Sequence, residues 1–440
     1  MSGPGVLYGQ LFGAGEAARL FTDTAEIRAM LLVEGALAQV QGRLGVIPET
    51  AAAAIHRAGL EVVLDPAALA GPTGQNGVPV PGLVAAFRKA IAAPEHAQFV
   101  HWGATSQDIT DTALMLRLAR ALDAAEAALA ETVTALGALA GAHADTPMAA
   151  RTYGQPATPT SFGAVVAEWG APLLELLDEM QALRPRVLWV SLSGAAGTGA
   201  ALGPKAAETR AALAEALGLH DPGRSWHADR GPVLRLAGWA ARLSAALAKP
   251  GEDLLLMTQG GIAEVRLGAS GGSSTMPQKQ NPVAPSALVA LCRHTQGLAQ
   301  TLSLAGSPRQ QRDGAAWFTE WLALPPMMLA LLGALEQARA LAAALTPDRA
   351  AMARALVAGG GTILAESLSF ALAGQMPRPE AQEAVKALCR AAQETGETLE
   401  ALARRDHPAL DPVLFDPARH LGTAPQDARR FAEAAKARAG

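Results

Sequence analysis

From Thr105 to His143 the chain runs without a proline, and its apolar residues recur at spacings of three and four. That period places them along one side of an α-helix; a strand would need a period of two. At the helical rise per residue, such a stretch makes a rod about 57 Å long. Similar segments occupy 157–184, 231–266, 281–305 and 314–345. Rods this long and this poor in polar residues do not stand singly in water, so they pack together as a bundle. Their apolar faces are broad, which predicts further burial between subunits.

On either side of these rods the texture is shorter. Before them, a helix is expected over 16–44, with Leu20, Ile27, Met30, Leu31, Val33, Leu37 and Val40 on one side, then pieces at 48–58, 65–70 and 81–93. Pro48, Pro66, Pro72, Pro79 and Pro81 divide them. After Thr346-Pro347-Asp348, helices are expected at 347–357, 362–374 and 378–406, followed by a tail rich in Asp-Pro steps. No internal repeat and no segment of strand period stands out. A chain of 440 residues exceeds one ordinary core. The reading is all-α: three helical domains with a central long-helix bundle, divided as 1–104, 105–346 and 347–440.

Half of the residues are apolar and 17% are charged, which excludes a disordered chain. With 36 basic against 40 acidic residues and no basic stripe interleaved with aromatics, nucleic acid is not an expected partner. Cys292 and Cys389 lie in apolar helical stretches without metal-ligand spacing and read as buried small hydrophobes. The N-terminus lacks a charged region followed by an apolar run, and no stretch approaches about 18 consecutive apolar residues. A soluble, cytoplasmic protein is expected, with no membrane partner.

Nearly all the unusual residues sit in the connectors between rods. His101-Trp102-Gly103-Ala104-Thr105-Ser106-Gln107-Asp108 immediately precedes the first rod. Thr105 or Ser106 can cap that rod, whose N-terminal amides favour an anion; capping alone accounts for the two hydroxyls, and His101 adds a titratable group. Arg151-Thr152-Tyr153-Gly154-Gln155-Pro156 groups a cation, hydroxyls and an amide more densely than a simple turn requires. The small-residue run Ser193–Gly199 lets backbone approach a ligand, but it lacks dinucleotide-binding spacing. The third connector, Gly268 to Asn281, combines three glycines with Ser273, Ser274, Thr275, Lys279 and Asn281. A loop of this kind can close over a ligand, aim a serine with backbone amides and offer a point charge to a carboxylate.

The run Gly272-Ser273-Ser274-Thr275-Met276-Pro277-Gln278-Lys279-Gln280-Asn281 resembles the long signature of the fumarase, aspartase, argininosuccinate lyase and adenylosuccinate lyase superfamily. The two earlier connectors match that superfamily's other active-site segments in the same order. The resemblance implies a homotetramer whose long helices merge into one bundle, with each active site assembled from three subunits. It implies no metal or organic cofactor and a small polycarboxylate substrate. It also implies chemistry through an aci-carboxylate, with Ser273 in the proton-transfer role. By the same resemblance Lys279, Asn281, Thr105, Ser106, Thr152 and Gln155 hold the substrate, with Asn76 and Tyr153 carried as further contacts. Arg151, Arg230, Lys279 and Arg312 are candidate carboxylate holders; singly, each is better explained by a surface or structural ion pair, and the motif context raises Lys279 and Arg312 above that.

Tyr153 departs from the superfamily's Arg-Thr-His pattern, in which the histidine serves several lyases as a general acid. A tyrosine, with an ordinary pKa near 10, is a poorer proton shuttle at neutral pH. An aromatic residue at this position is similar to the bacterial 3-carboxy-cis,cis-muconate cycloisomerase branch. So are His143-Ala144-Asp145-Thr146-Pro147, Trp226-His227 and Gln311-Arg312-Asp313-Gly314-Ala315-Ala316-Trp317. A cycloisomerase adds an already ionised carboxylate within one molecule, so no leaving group needs protonation. The proton for the alpha carbon comes from Ser273, His101 or water; the sequence leaves the three open. The alternatives are an adenylosuccinate-type lyase releasing fumarate and a catalytically silent scaffold, against which the retained Ser273, Lys279 and Asn281 argue.

Overall fold

A computed structural model describes residues 5–268, 271, 272, 276 and 279–439. The all-α expectation is borne out. The helices used below are α1 (Asp23–Arg43), α2 (Glu49–Glu61), α3 (Pro66–Asn76), α4 (Val80–Ile91), α5 (Ser106–Ala142), α6 (Phe162–Val187), α7 (Ala206–Leu217), α8 (Gly231–Met257), α9 (Val283–Leu304) and α10 (Gly314–Ala344). They are followed by α11 (Arg349–Val357), α12 (Ala365–Ala373), α13 (Arg378–Thr395), α14 (Leu399–Asp406) and α15 (Ala424–Ala439). The five expected rods are therefore α5, α6, α8, α9 and α10, with most ends moved by a few residues; α8 stops at Met257, well short of the expected 266.

Two expectations are corrected. The stretch 147–161 is a β-hairpin, β1 (Pro147–Thr152) paired antiparallel with β2 (Gln155–Ser161), so α6 begins at Phe162 and not near 157. Tyr153 and Gly154 make its two-residue turn, both in the left-handed region at φ 53° and 75°, the geometry that matches strand twist in tight hairpins. The Asp-Pro tail is also more ordered than its composition suggests. Asp411 and Asp416 cap short 3₁₀ turns by accepting from Val413 N (2.9 Å) and Ala418 N (3.0 Å), and α15 follows.

The chain divides into two compact units. The first comprises 1–128, 176–245 and 290–336. In it, α1 starts on a Thr22 cap, whose hydroxyl accepts from Ala25 N at 3.2 Å, and buries Met30, Val33, Leu37 and Val40. The first turns of α5 are buried on nearly all sides, from Gln107 through Ile109, Ala113 and Met115 to Leu118, and Leu122 and Ala125 continue the buried face beyond them. A cavity of about 690 Å³ lies against Phe21, Ile27, Leu69, Leu114 and Trp321. None of the described candidate site residues lines it.

The second unit comprises 129–175, 246–289 and 337–440. Its C-terminal part packs Leu368, Leu372, Val385, Leu388, Leu399 and Leu402 together. There Gly396, in the left-handed region at φ 76°, ends α13 and lets α14 fold back. Helix α15 reaches Gly137 of α5 and Gly170 of α6, where a methyl added to Gly170 would overlap the Phe431 ring. Overpacking a filled contact costs typically about 1–3 kcal/mol. Gly170→Ala is therefore expected to lower the stability by that amount, read as a lower denaturant midpoint at unchanged m; an unchanged midpoint would show that α15 yields freely.

Helix α10 is long and apolar enough, by length and composition, to cross a membrane; 67% of its most apolar window is buried inside the protein.

Candidate active site

In the first unit, the turn that ends in Gly103 is held from two helices. Glu34 and Gln41 lie two turns apart along one face of α1, and both are fully buried. The Glu34 carboxylate meets His101 Nδ1 at 2.7 Å, and Gln41 Nε2 donates to the Trp102 carbonyl at 2.8 Å. From α4, Arg88 Nη2 donates to the Val100 carbonyl at 2.8 Å. His101 itself sits at φ 65°, a backbone state that costs a non-glycine residue on the order of 1–3 kcal/mol and persists only where the surroundings impose it. Gly103, at φ 74°, has no such cost, and a Cβ there would stand 2.7 Å from a Leu202 methyl. Burial pushes the His101 imidazolium toward its neutral form, but Glu34 and, less closely, Asp108 more than offset it; Arg88 opposes them, and the net pKa lies above the ordinary 6.5.

The next residues are organised by Asp108, whose carboxylate is fully buried. It accepts from Thr105 N (3.1 Å), the carboxylate half of a capping box at the start of α5. It also accepts from Ser191 Oγ (3.1 Å), Ser193 N (2.9 Å) and Gly194 N (2.9 Å), and lies 2.8 Å from His227 Nε2. One side chain thus ties the Thr105 turn to the start of the Ser193–Gly199 loop. Arg312 closes the arrangement: Nε donates to Gln107 Oε1 (2.9 Å), and Nη2 donates to the Ala195 carbonyl (3.1 Å) and, at 3.4 Å, to Thr105 Oγ1. The structure therefore brings His101, Thr105, Ser106 and Arg312 into one polar region at the head of α5 and α10.

Arg230 takes the structural ion-pair role and not that of a carboxylate holder. It lies beneath this region, buried, with Nη1 on Asp111 (2.7 Å) and Nε and Nη2 on Glu320 (2.7 and 2.6 Å), stacked 4.7 Å over the Trp226 ring. Burial works against its charge, but the two carboxylates hold the guanidinium firmly protonated; burial pushes the Glu320 carboxyl up. All its donors face the protein, so it holds no substrate. Asn76, at the exposed end of α3, donates to the Pro72 carbonyl of its own helix at 2.9 Å. That bond ties it to none of the other candidates.

In the second unit, Arg151 forms a fork on Glu264, with Nη1 and Nη2 each 2.8 Å from a carboxylate oxygen. Glu264 is fully buried, and its carbonyl accepts from Asp348 N at 2.8 Å. Both terminal nitrogens of Arg151 thus meet the protein's own carboxylate, which anchors the hairpin. Beyond it Thr152, Tyr153 and Gln155 form the exposed tip, with Tyr153 at 104% relative exposure. The third connector is closed at its neck by Gly271 and Asn281, whose amides and carbonyls pair at 3.1 and 2.8 Å. Lys279 is exposed, and its amide turns back to the Met276 carbonyl at 3.0 Å. Ser273 lies outside the described residues.

Glu34, Gln41, Arg88, Asp108 and Glu264 are supporting residues that the sequence does not single out. Glu34 alone carries a visible signal: a carboxylate within the apolar run Leu31-Leu32-Val33-Glu34-Gly35-Ala36-Leu37, where an unpartnered charge would be costly.

A protein-family model described as "Lyase" matches residues 14–297. The chain belongs to that lyase family, as the motif ending at Asn281 implied. Within it, the chain is similar to the 3-carboxy-cis,cis-muconate cycloisomerase of Pseudomonas aeruginosa, 38% identical over 95% of this chain and 94% of that protein. It is also similar to the nitrosuccinate lyase of Streptomyces davaonensis, 35% identical over 92% and 89%. The crystal structure of the 3-carboxy-cis,cis-muconate lactonizing enzyme from Pseudomonas putida superposes with a TM-score of 0.92 at 34% identity, covering 99% of this chain and all of that one.

Proposed function

We propose that this chain is a cycloisomerase that closes 3-carboxy-cis,cis-muconate to 4-carboxymuconolactone, acting in the catabolism of protocatechuate by the β-ketoadipate route. The likeness to the Pseudomonas aeruginosa cycloisomerase along nearly the whole of both chains carries the reading. In the reaction, one substrate carboxylate oxygen bonds to the carbon beta to a second carboxylate. The alkene pair moves to the alpha carbon and is held as an aci-carboxylate until a proton arrives there. A trianion becomes a dianion, so each turnover takes up one proton.

Ser273 delivers that proton, and His101 resupplies it. A serine hydroxyl is a very weak acid, and it gives up a proton readily only if a stronger acid replaces it in the same step. Lys279 and Arg312 face the carboxylates as cations, while Thr105, Ser106, Thr152, Gln155, Asn281, Tyr153 and Asn76 complete the substrate contacts. With a tyrosine in place of the general-acid histidine, lactonisation loses nothing, because nothing departs. A substrate of three carboxylates needs cations and oriented dipoles, and these roles require no metal or organic cofactor.

The active unit is a homotetramer in the cytoplasm, with each site shared by three subunits. Full exposure of Tyr153 on a strained hairpin tip supports this, since strain of that kind is kept where it serves a contact. Mixed tetramers formed from Ser273→Ala and His101→Asn chains are then expected to regain activity that neither parent has, because some sites collect only intact segments. Failure of any mixture to exceed its parents would count against shared sites.

The function itself is tested by adding purified protein to 3-carboxy-cis,cis-muconate and following the loss of diene absorbance. The likeness to nitrosuccinate lyase favours a second reading, β-elimination from a substituted succinate; release of an unsaturated diacid, without action on the muconate, would establish it instead.

A further inference from the structure

We propose that Glu34 is a positioning residue for this reaction: it holds His101 as an imidazolium, with Nδ1–H on the carboxylate and Nε2–H presented as the proton source. The inference rests on the cycloisomerase reading above. Its basis is the pairing itself. The Glu34 side chain is fully buried, one oxygen lies 2.7 Å from His101 Nδ1, and the other oxygen has no hydrogen-bond partner among the described residues. A buried carboxylate with one partner keeps its charge only if that partner brings the opposite charge. Burying such a group without a use is unfavourable, and an apolar residue on α1 would pack there at no electrostatic cost.

The surroundings are arranged to the same end. Gln41 and Arg88 grip the carbonyls on either side of His101, so the ring is aimed by its backbone as well as by Glu34. With Nδ1 engaged, Nε2 is the nitrogen left for chemistry, and the His101 side chain keeps 19% of its surface open. The charged groups facing the ring are Glu34 from α1, Asp108 from α5 and Arg88 from α4. The two carboxylates outweigh the one cation. Asp108 is itself spent on the Thr105 turn, the Ser193 loop and His227, which leaves Glu34 as the dedicated partner.

The step balances simply. The carboxylate oxygen–carbon bond forms, the alkene pair becomes the new alpha carbon–hydrogen bond, and that proton comes from the Ser273 hydroxyl. The Ser273 oxygen takes the Nε2 proton, whose bonding pair stays on nitrogen. His101 is left neutral, still donating Nδ1–H to Glu34, and solvent water restores its proton before the next turnover.

Glu34→Gln separates this role from simple packing, because the amide has the same shape and no charge. Activity that needs the imidazolium falls as pH rises through the His101 pKa. In Glu34→Gln that alkaline limb should move to lower pH, kcat at neutral pH should fall by roughly 10²-fold, and KM should change little. Glu34→Asp should restore part of the rate and return the limb toward its original place. Nuclear magnetic resonance titration of His101 gives the same answer without substrate: a pKa above the ordinary value in the native chain, lowered in Glu34→Gln. An unmoved limb or an unmoved titration would overturn the proposal, even with full turnover of the muconate. If Glu34→Gln does not fold, the native titration decides alone, and a His101 pKa at or below the ordinary 6.5 would overturn it. Lack of turnover of the muconate by the native chain, with the titration as expected, would instead overturn the parent reading.

Discussion

Ser273→Ala is expected to lower kcat on 3-carboxy-cis,cis-muconate by roughly 10³-fold, within the range that a positioned acid or base contributes, while leaving helix content and subunit assembly unchanged. The residue stands in the longest motif of the chain, preceded by Gly271 and Gly272 and followed by Lys279 and Asn281. In the proton path above, its hydroxyl is the last group before carbon, so deletion removes the delivery step and not the fold. His101→Asn should fall by a similar factor, and the double variant little further, because residues that act as one unit are not additive. A Ser273→Ala enzyme with near-native kcat would hand delivery to His101 directly. Stopped-flow measurement of the first turnover separates these outcomes from a change in product release.

Arg230→Leu is expected to destabilise the protein by about 3–5 kcal/mol, the usual cost of removing one member of a buried ionic cluster. The cluster is closed: Arg230 meets Asp111 and Glu320, and Trp317 Nε1 donates to Asp111 at 3.2 Å. Loss of the cation leaves two buried carboxylates facing each other. One carboxyl then takes up a proton or water enters the core, and either relieves only part of the loss. Urea unfolding followed by tryptophan fluorescence measures the effect, since Trp226 and Trp317 flank the cluster. Replacing Arg230, Asp111 and Glu320 together by apolar residues should cost far less than Arg230→Leu alone. If the single and triple variants were equally destabilised, shape and not charge would be what the cluster contributes.

Much of this protein is legible in its sequence, and the limits follow physical lines. The five rods are read because a period of three and four leaves little else for an apolar chain to do. The hairpin at 147–161 is hidden because Pro156 and Pro159 lie in its second strand, which is exposed over Gln155–Thr158 and shows no alternation. Tyr153-Gly154 is its one local signal, a two-residue turn needing two left-handed residues. Helix α15 is hidden by its polar composition and by the Asp-Pro steps before it. In the site, the residues proposed to touch substrate are legible because they cluster in connectors. The residues that hold them, Glu34, Asp108 and Glu264, lie in two helices and in the connector after α8, far apart in sequence. A buried carboxylate reveals its purpose only when its partner is known. The same holds for Arg151 and Arg230, which read as carboxylate holders and prove to hold the protein's own carboxylates.

Ring closure without a leaving group is tested most directly in deuterated water by proton nuclear magnetic resonance. Purified protein is given 3-carboxy-cis,cis-muconate in one tube and adenylosuccinate in another. The expected result is complete conversion of the muconate to a lactone carrying one deuterium at the alpha carbon, and no fumarate signal from adenylosuccinate. Fumarate from adenylosuccinate with the muconate left intact would contradict it.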